Sequence, residues 1–258
     1  MHIETIGAGA PLVLIHGWAM HSGVFAPLTE RLATRFQVHL VDLPGHGRSR
    51  EDTRLDPQRI LSTLIERIPT GAVWVGWSLG GLIALEAAHR IPEHLRAVAV
   101  MASSPRFVDA ADWRHGVPGT VFEQFALGLE RDFRATVERF LALEAMGSVR
   151  ATMDMDALRT SAFEHGAPAL DSLRQGLDLL QHSDWRIALP TLSRPSLWIA
   201  GRRDRLVPPQ AMRWAAARAP EARYLELDSG HMPFLSEADA VARALSGLMN
   251  VETRNVVE

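Results

Sequence analysis

The sequence predicts an α/β protein with a mostly parallel central sheet, helices on both faces and an inserted all-helical lid. Three observations carry this. Short continuous apolar runs alternate with segments of helical spacing, the pattern of strands buried on both faces. Residues 106–189 contain no strand-like run but four helical segments in succession. Strand–helix alternation then resumes, so the helical block interrupts the sheet domain. The expected division is a sheet domain from residues 1–105 and 190–258, with a lid at 106–189.

Each element follows from local pattern. PLVLI at 11–15 reads as a buried strand and is followed by His16-Gly17-Trp18. Residues 24–36 have helical spacing, with Phe25, Leu28, Leu32 and Phe36 on one side. VHLVDL at 38–43 is the next strand and ends in the turn-rich Pro44-Gly45-His46-Gly47. Residues 56–68 form a helix stopped by Pro69. AVWV at 72–75 runs straight into Gly76-Trp77-Ser78-Leu79-Gly80-Gly81 and then a helix. Glycines there allow a very tight strand–turn–helix that pushes Ser78 out at the sheet's end. LRAVAVM at 95–101 is a further strand. The lid helices are expected at 120–129, 132–146, 154–164 and 169–181. SLWIA at 196–200 and RYLEL at 223–227 are strands, each followed by a helix, at 209–217 and 238–249. The polar tail, 250–258, is expected to fray.

Composition excludes several function classes. A net charge of −3 gives no electrostatic case for nucleic acid or an anionic membrane. The absence of cysteine removes disulfides, thiol catalysis and cysteine metal sites, and fits a cytoplasmic location. No secretory signal or membrane-spanning helix is expected. All 27 basic residues are arginine, which reads as compositional bias, so no arginine is informative merely for not being lysine.

The chemistry is assembled by position. In an open α/β sheet, reacting groups belong in loops at the carboxyl ends of strands. Ser78 stands at such an end with a helix N-terminus behind it, and backbone N–H groups there can face developing negative charge. A serine hydroxyl needs a base, and the base an acid partner. Of 11 histidines, only His16 and His231 lie just beyond strong strand runs. His231, in the loop Asp228-Ser229-Gly230-His231-Met232-Pro233, is well placed as general base. His16 has a structural or oxyanion-loop placement. Asp42, Asp204 and Asp228 are all candidates for the acid. Asp204 could equally be a surface carboxylate paired to Arg202, Arg203 or Arg205. The proton transfers need no metal or other cofactor.

The motifs in order resemble the α/β-hydrolase superfamily. They are His16-Gly17, Asp42-x-Pro-Gly-x-Gly-x-Ser49, Gly76-x-Ser78-x-Gly80-Gly81, Gly201-x-x-Asp204-x-x-Val207-Pro208 and Gly230-His231-x-Pro233. The resemblance implies an α/β-hydrolase fold with Ser78 as nucleophile, Asp204 as acid and His231 as base. It also implies an oxyanion hole from the backbone N–H groups of Trp18 and Leu79.

A narrower resemblance is to the family of pimeloyl-acyl-carrier-protein methyl ester esterases of biotin synthesis. It rests on Leu14–Trp18, Val41–Gly45 with Gly47–Arg50, Gly76–Leu82, Ala102–Pro105 and above all the lid run Thr136–Leu143. It implies a cytoplasmic serine carboxylesterase that releases methanol. Its acyl pocket would be lined by Trp18, Phe140, Leu141, Ala142, Leu143 and Glu144, with Ser78, Leu79 and His231 at the reacting end. The partner implied is an acyl-carrier protein, met by lid arginines: Arg134, Arg139, Arg150 and Arg159. With 9 arginines against 13 Asp plus Glu in residues 106–189, any such surface is a local patch. The protein is expected to be a monomer.

Two other readings keep the fold. One changes the substrate: a short-chain esterase, an enol-lactonase or a C–C bond hydrolase. The other makes the chain a non-catalytic binding module.

Overall fold

The computed structural model describes residues 1–148 and 151–249. Seven strands form one sheet: β1 (His2–Ile6), β2 (Ala10–Ile15), β3 (Phe36–Asp42), β4 (Ala72–Trp77), β5 (Leu95–Met101), β6 (Ser196–Gly201) and β7 (Ala222–Leu227). Their spatial order is β1-β3-β2-β4-β5-β6-β7. Every neighbouring pair is parallel except β1 with β3. The continuous apolar runs are the central strands: β4 and β6 are buried at every residue.

Helices α1 (Ala26–Leu32), α2 (Pro57–Arg67) and α3 (Leu79–Arg90) connect the first strands. Between β5 and β6 stand α4 (Gly119–Arg131), α5 (Phe133–Ala145), α6 (Ala151–Glu164) and α7 (Leu170–His182). The chain closes with α8 (Pro209–Ala216), α9 (Pro233–Ser236) and α10 (Ala238–Met249). Local chemistry sets several boundaries. Asp56 caps α2 by accepting from Arg59 N, and Asp132 caps α5 by accepting from Ala135 N at 3.0 Å. Within the insertion α4 packs on α5 and α7, and α5 on α6, while α7 also reaches α3 of the sheet domain.

Two details differ from the sequence reading. The edge strand β1 has no counterpart among the strands read from the sequence; HIETI is half-exposed and pairs along one edge only, so it lacks the apolar run that marks a central strand. The helix expected over 24–36 is shorter. A 3₁₀ turn occupies Ser22–Phe25, α1 ends at Leu32, and Phe36 already belongs to β3. Among the described residues, no helix is long and apolar enough to cross a membrane.

Candidate active site

The turn between β4 and α3 is as tight as its glycines suggest. Ser78 has φ 53° and ψ −119°, a conformation non-glycine residues rarely adopt and one that costs about 1–3 kcal/mol. A Cβ on Gly76 would stand 2.1 Å from the Gly80 carbonyl oxygen, and one on Gly80 would stand 2.2 Å from the Ile15 oxygen. Larger residues there would push the turn apart. Ser78 N–H donates to Met101 O at 3.0 Å, and Ser103 Oγ donates to Ser78 O at 2.7 Å. The strained residue is therefore held from the neighbouring strand end.

Of the three carboxylates at strand ends, Asp204 is the one that meets His231. Its Oδ2 lies 2.8 Å from His231 Nδ1, with both side chains essentially solvent-free. Its Oδ1 accepts from Leu206 N and Val207 N at 2.8 and 2.9 Å. That fixes the carboxylate and leaves Oδ2 for the imidazole. Two of the three arginines named with it are engaged elsewhere: Arg202 with Glu226 and Arg203 with Asp228. Asp42 instead ties loops together, accepting from Ser22 N at 2.8 Å and Arg48 N at 2.9 Å. Burial would push its carboxyl up, but His16 nearby and those hydrogen bonds hold it below the usual range. His231 Nε2, on the far side of the ring from Asp204, is buried without a hydrogen-bond partner. The Ser78 hydroxyl is thus not bonded to it here; such bonds often tighten only with substrate.

Trp77 draws the serine turn and the base together. Its indole Nε1 donates to the His231 carbonyl oxygen at 2.9 Å, and the two rings lie 5.7 Å apart.

Trp18 and Leu79 are both fully buried and share one neighbour. A Cβ on Gly176 of α7 would stand 2.7 Å from Trp18 Cδ1 and 3.2 Å from Leu79 Cδ2. The glycine lets α7 settle on both residues. Trp18 Nε1 also donates to Leu173 O at 2.8 Å, and its ring packs edge-on to Phe140 at 4.6 Å. Leu79 is the first residue of α3, where backbone N–H groups have no intrahelical acceptor.

The segment Phe140–Glu144 of α5 spreads around its helix. Phe140, Leu141 and Glu144 are buried, whereas Ala142 and Leu143 line a groove of about 430 Å³ with Val121, Gln124, Phe125 and Arg139. Glu144 is fully buried and neither carboxyl oxygen has a partner. Burial, with Asp204 nearby, pushes its carboxyl well above the usual range, which favours the protonated form. Arg134 and Arg159 both pair with Glu138. Arg139 lies over the Phe125 ring, and no carboxylate among the described residues pairs with it. Arg150 lies outside the described residues.

His16 works structurally. Its Nδ1–H donates to Gly17 O at 2.7 Å, and its Nε2 accepts from Leu43 N at 2.9 Å. Burial first, then neighbouring His46, lowers it to about 3. Among the described residues one group has metal-ligand spacing: ligand atoms of His21, Glu164 and His165 lie within 4.8 Å of one another. Gly23 N–H donates to His21 Nδ1, which places the ring proton on Nε2, and that atom donates to Ser161 O at 2.7 Å. His21 therefore presents an N–H to the cluster and not a lone pair.

Sequence reasoning passed over Gly147 and Gly176, and named Arg203 only as a possible partner of Asp204, whereas it pairs with Asp228. The glycines carried a signal, since a glycine within or just after a helical pattern often marks a close backbone approach. Arg203 carried none in an all-arginine protein.

Comparison with known proteins adds the last observation. Residues 12–244 match the model of the alpha/beta hydrolase family. A pimeloyl-acyl-carrier protein methyl ester esterase of Xanthomonas campestris is 54% identical over 247 residues, covering 95% of this chain and 97% of that protein. One of the same name from Stenotrophomonas maltophilia is 54% identical over 246 residues, covering 95% of each. Among solved structures, an esterase from Exiguobacterium antarcticum superposes with a TM-score of 0.86 at 19% identity, covering 97% of this chain and 95% of that one. An enol-lactonase from Burkholderia xenovorans does so with 0.80 at 21%, covering 97% and 96%. At such identities the structural likenesses speak for the fold alone.

Proposed function

The chain belongs to the alpha/beta hydrolase family, and on that footing we propose that it is a serine carboxylesterase which hydrolyses the methyl ester of pimeloyl-acyl-carrier protein, releasing methanol in biotin synthesis. The observation that carries this reading is the 54% identity, over 95% of the chain, to esterases of that name.

The chemistry then runs through the residues described. Ser78 Oγ attacks the ester carbonyl carbon while His231 Nε2 takes its proton. Asp204 holds the imidazole through Nδ1 and offsets the charge it acquires. The carbonyl electron pair moves onto oxygen, where the N–H groups of Leu79 and Trp18 receive it; one such donor is worth about 3 kcal/mol. Collapse expels the methoxy group, which takes the proton from His231 and leaves as methanol. Water, deprotonated by His231, attacks the acyl-serine, freeing the carboxylic acid and Ser78.

The helical insertion acts as a lid. Ser78 is only 2% exposed, so the acyl chain reaches it when the lid parts or along the groove between α4 and α5. The apolar lining at Val121, Phe125 and Leu143 suits an aliphatic chain. The carrier's phosphate-bearing arm is met at the groove mouth by Arg139, which no carboxylate among the described residues claims. Arg134 and Arg159 share Glu138 and are weaker candidates.

The test is methanol release from the carrier-bound methyl ester, run beside short p-nitrophenyl esters, with rescue of a biotin-requiring strain that lacks its own esterase. Efficient methanol release and rescue are expected, with Ser78→Ala inactive in both. Failure of rescue by well-expressed protein, with cleavage of short esters only, would return the chain to the general esterases. Absence of fluorophosphonate labelling at Ser78 would return it to the binding modules.

A further inference from the structure

The acid and the base stand on different loops, so their 2.8 Å contact depends on how those loops are held. The loop after β6 carries Asp204; the loop after β7 carries His231. They already touch at glycines: a Cβ on Gly201 would stand 1.9 Å from the Gly230 carbonyl oxygen. The turn that ends α5 is wedged onto both. A Cβ on Gly230 would stand 2.7 Å from Met146 O, and one on Gly147 would stand 2.2 Å from Arg203 O. Gly147 has φ +83°, which suits a glycine closing a helix.

Arg203 binds all three segments. Its backbone N–H donates to Ser229 O at 2.9 Å. Its Nε donates to Gly147 O at 2.8 Å, Nη1 to Asp228 Oδ1 at 2.7 Å and Nη2 to Asp228 O at 2.7 Å. Every nitrogen that it can direct is spent on the base loop or on the lid, and the next residue along the chain is Asp204. A guanidinium can do this because its N–H groups are fixed in one plane; an ammonium offers a single point of attachment.

We infer that Arg203 is a positioning residue, which seats the end of lid helix α5 against the two loops that carry Asp204 and His231. The inference rests on those two residues serving as acid and base. It makes the dyad and the lid one mechanical unit: the contact that closes the lid is the contact that sets the acid–base distance. Asp228 acts as Arg203's partner and not as the acid.

The test compares Arg203→Lys, Arg203→Gln and, as a control, Arg202→Gln, whose native partner is Glu226 on β7. Turnover and KM are measured on a long acyl methyl ester and on a short p-nitrophenyl ester, with thermal unfolding of each variant. Arg203→Lys and Arg203→Gln are expected to lower kcat on both esters by about ten- to a hundredfold, the loss that small misplacement of reacting groups produces. KM is expected to rise for the long ester, whose pocket the lid completes, and to stay unchanged for the short one. Fluorophosphonate labelling of Ser78 should slow in proportion to kcat. Arg202→Gln should match the wild type.

Wild-type kcat in folded Arg203→Lys would overturn the inference while leaving the proposed function standing. So would loss of activity that only tracks loss of folded protein. If the wild type itself shows no labelling at Ser78, the site reading fails first.

Discussion

The indole Nε1 of Trp77 donates a 2.9 Å hydrogen bond to the carbonyl oxygen of His231. The residue beside the candidate nucleophile thus holds the backbone of the candidate base, 154 positions away. Trp77→Phe keeps a ring against Phe25 and Phe234, which pack on Trp77 at 6.3 and 4.9 Å, but leaves a buried carbonyl without its donor. The expected cost is about 1–3 kcal/mol of stability and a several-fold fall in kcat at unchanged KM. Urea unfolding and steady-state kinetics check both; a wild-type kcat would mean the bond serves folding alone.

Asp204→Asn should preserve the loop and spoil the chemistry. An asparagine oxygen can still accept from Leu206 N and Val207 N, as Oδ1 does now. Its amide nitrogen would then face His231 Nδ1 and force the imidazole into the wrong tautomer, a change worth about 10⁴-fold in turnover in the Ser-His-Asp template. The unfolding midpoint should stay near wild type. Turnover within tenfold of wild type would move the acid to another carboxylate.

Glu144 should make the protein less stable as pH rises. Its folded carboxyl is held above the ordinary range by burial and by Asp204, so the folded state keeps a proton that the unfolded chain gives up. Stability present below about pH 4.5 is lost as pH climbs toward the folded value, by about 1.4 kcal/mol per unit. Glu144→Gln has no proton to lose. Its stability relative to wild type should grow as pH rises above about 4.5 in urea titrations, and a constant difference would show that the carboxyl is not shifted upward.

His16 and His46 should weaken the fold in acid. Burial lowers both, His16 to about 3 and His46 to about 4. An unfolded histidine takes up its proton near pH 6.5, so below that point the unfolded chain binds more protons than the native one. Stability should fall from about pH 6.5 toward pH 4, each histidine adding up to about 1.4 kcal/mol per unit. Replacing His46 by Gln should flatten the slope by roughly one proton, as read from unfolding midpoints across that range.

Much of the site was legible because it is local. The Gly76–Gly81 turn, the strand before it and the helix after it lie within one stretch of chain, and Gly76 and Gly80 fill positions where any Cβ would strike backbone. Apolar runs fixed which loops end strands, and so narrowed the base to His16 or His231. The same logic left β1 unseen, because a half-exposed edge strand needs no apolar run.

What the sequence by itself determined was the order of elements, the exposed serine turn and a short roster of acids and bases at strand ends. The tertiary structure alone decided which roster members meet. By position Asp42, Asp204 and Asp228 were all candidates for the acid, and only the resemblance pointed to Asp204. Only the packing of two loops sets Asp204 at 2.8 Å from His231, gives Asp228 to Arg203 and turns Asp42 toward Ser22 and Arg48. Glu144, set apart in the sequence only by the resemblance, is by local pattern one more helix carboxylate until the fold removes its water. Pairing and burial are properties of residues distant in sequence and adjacent in space, and local pattern carries neither.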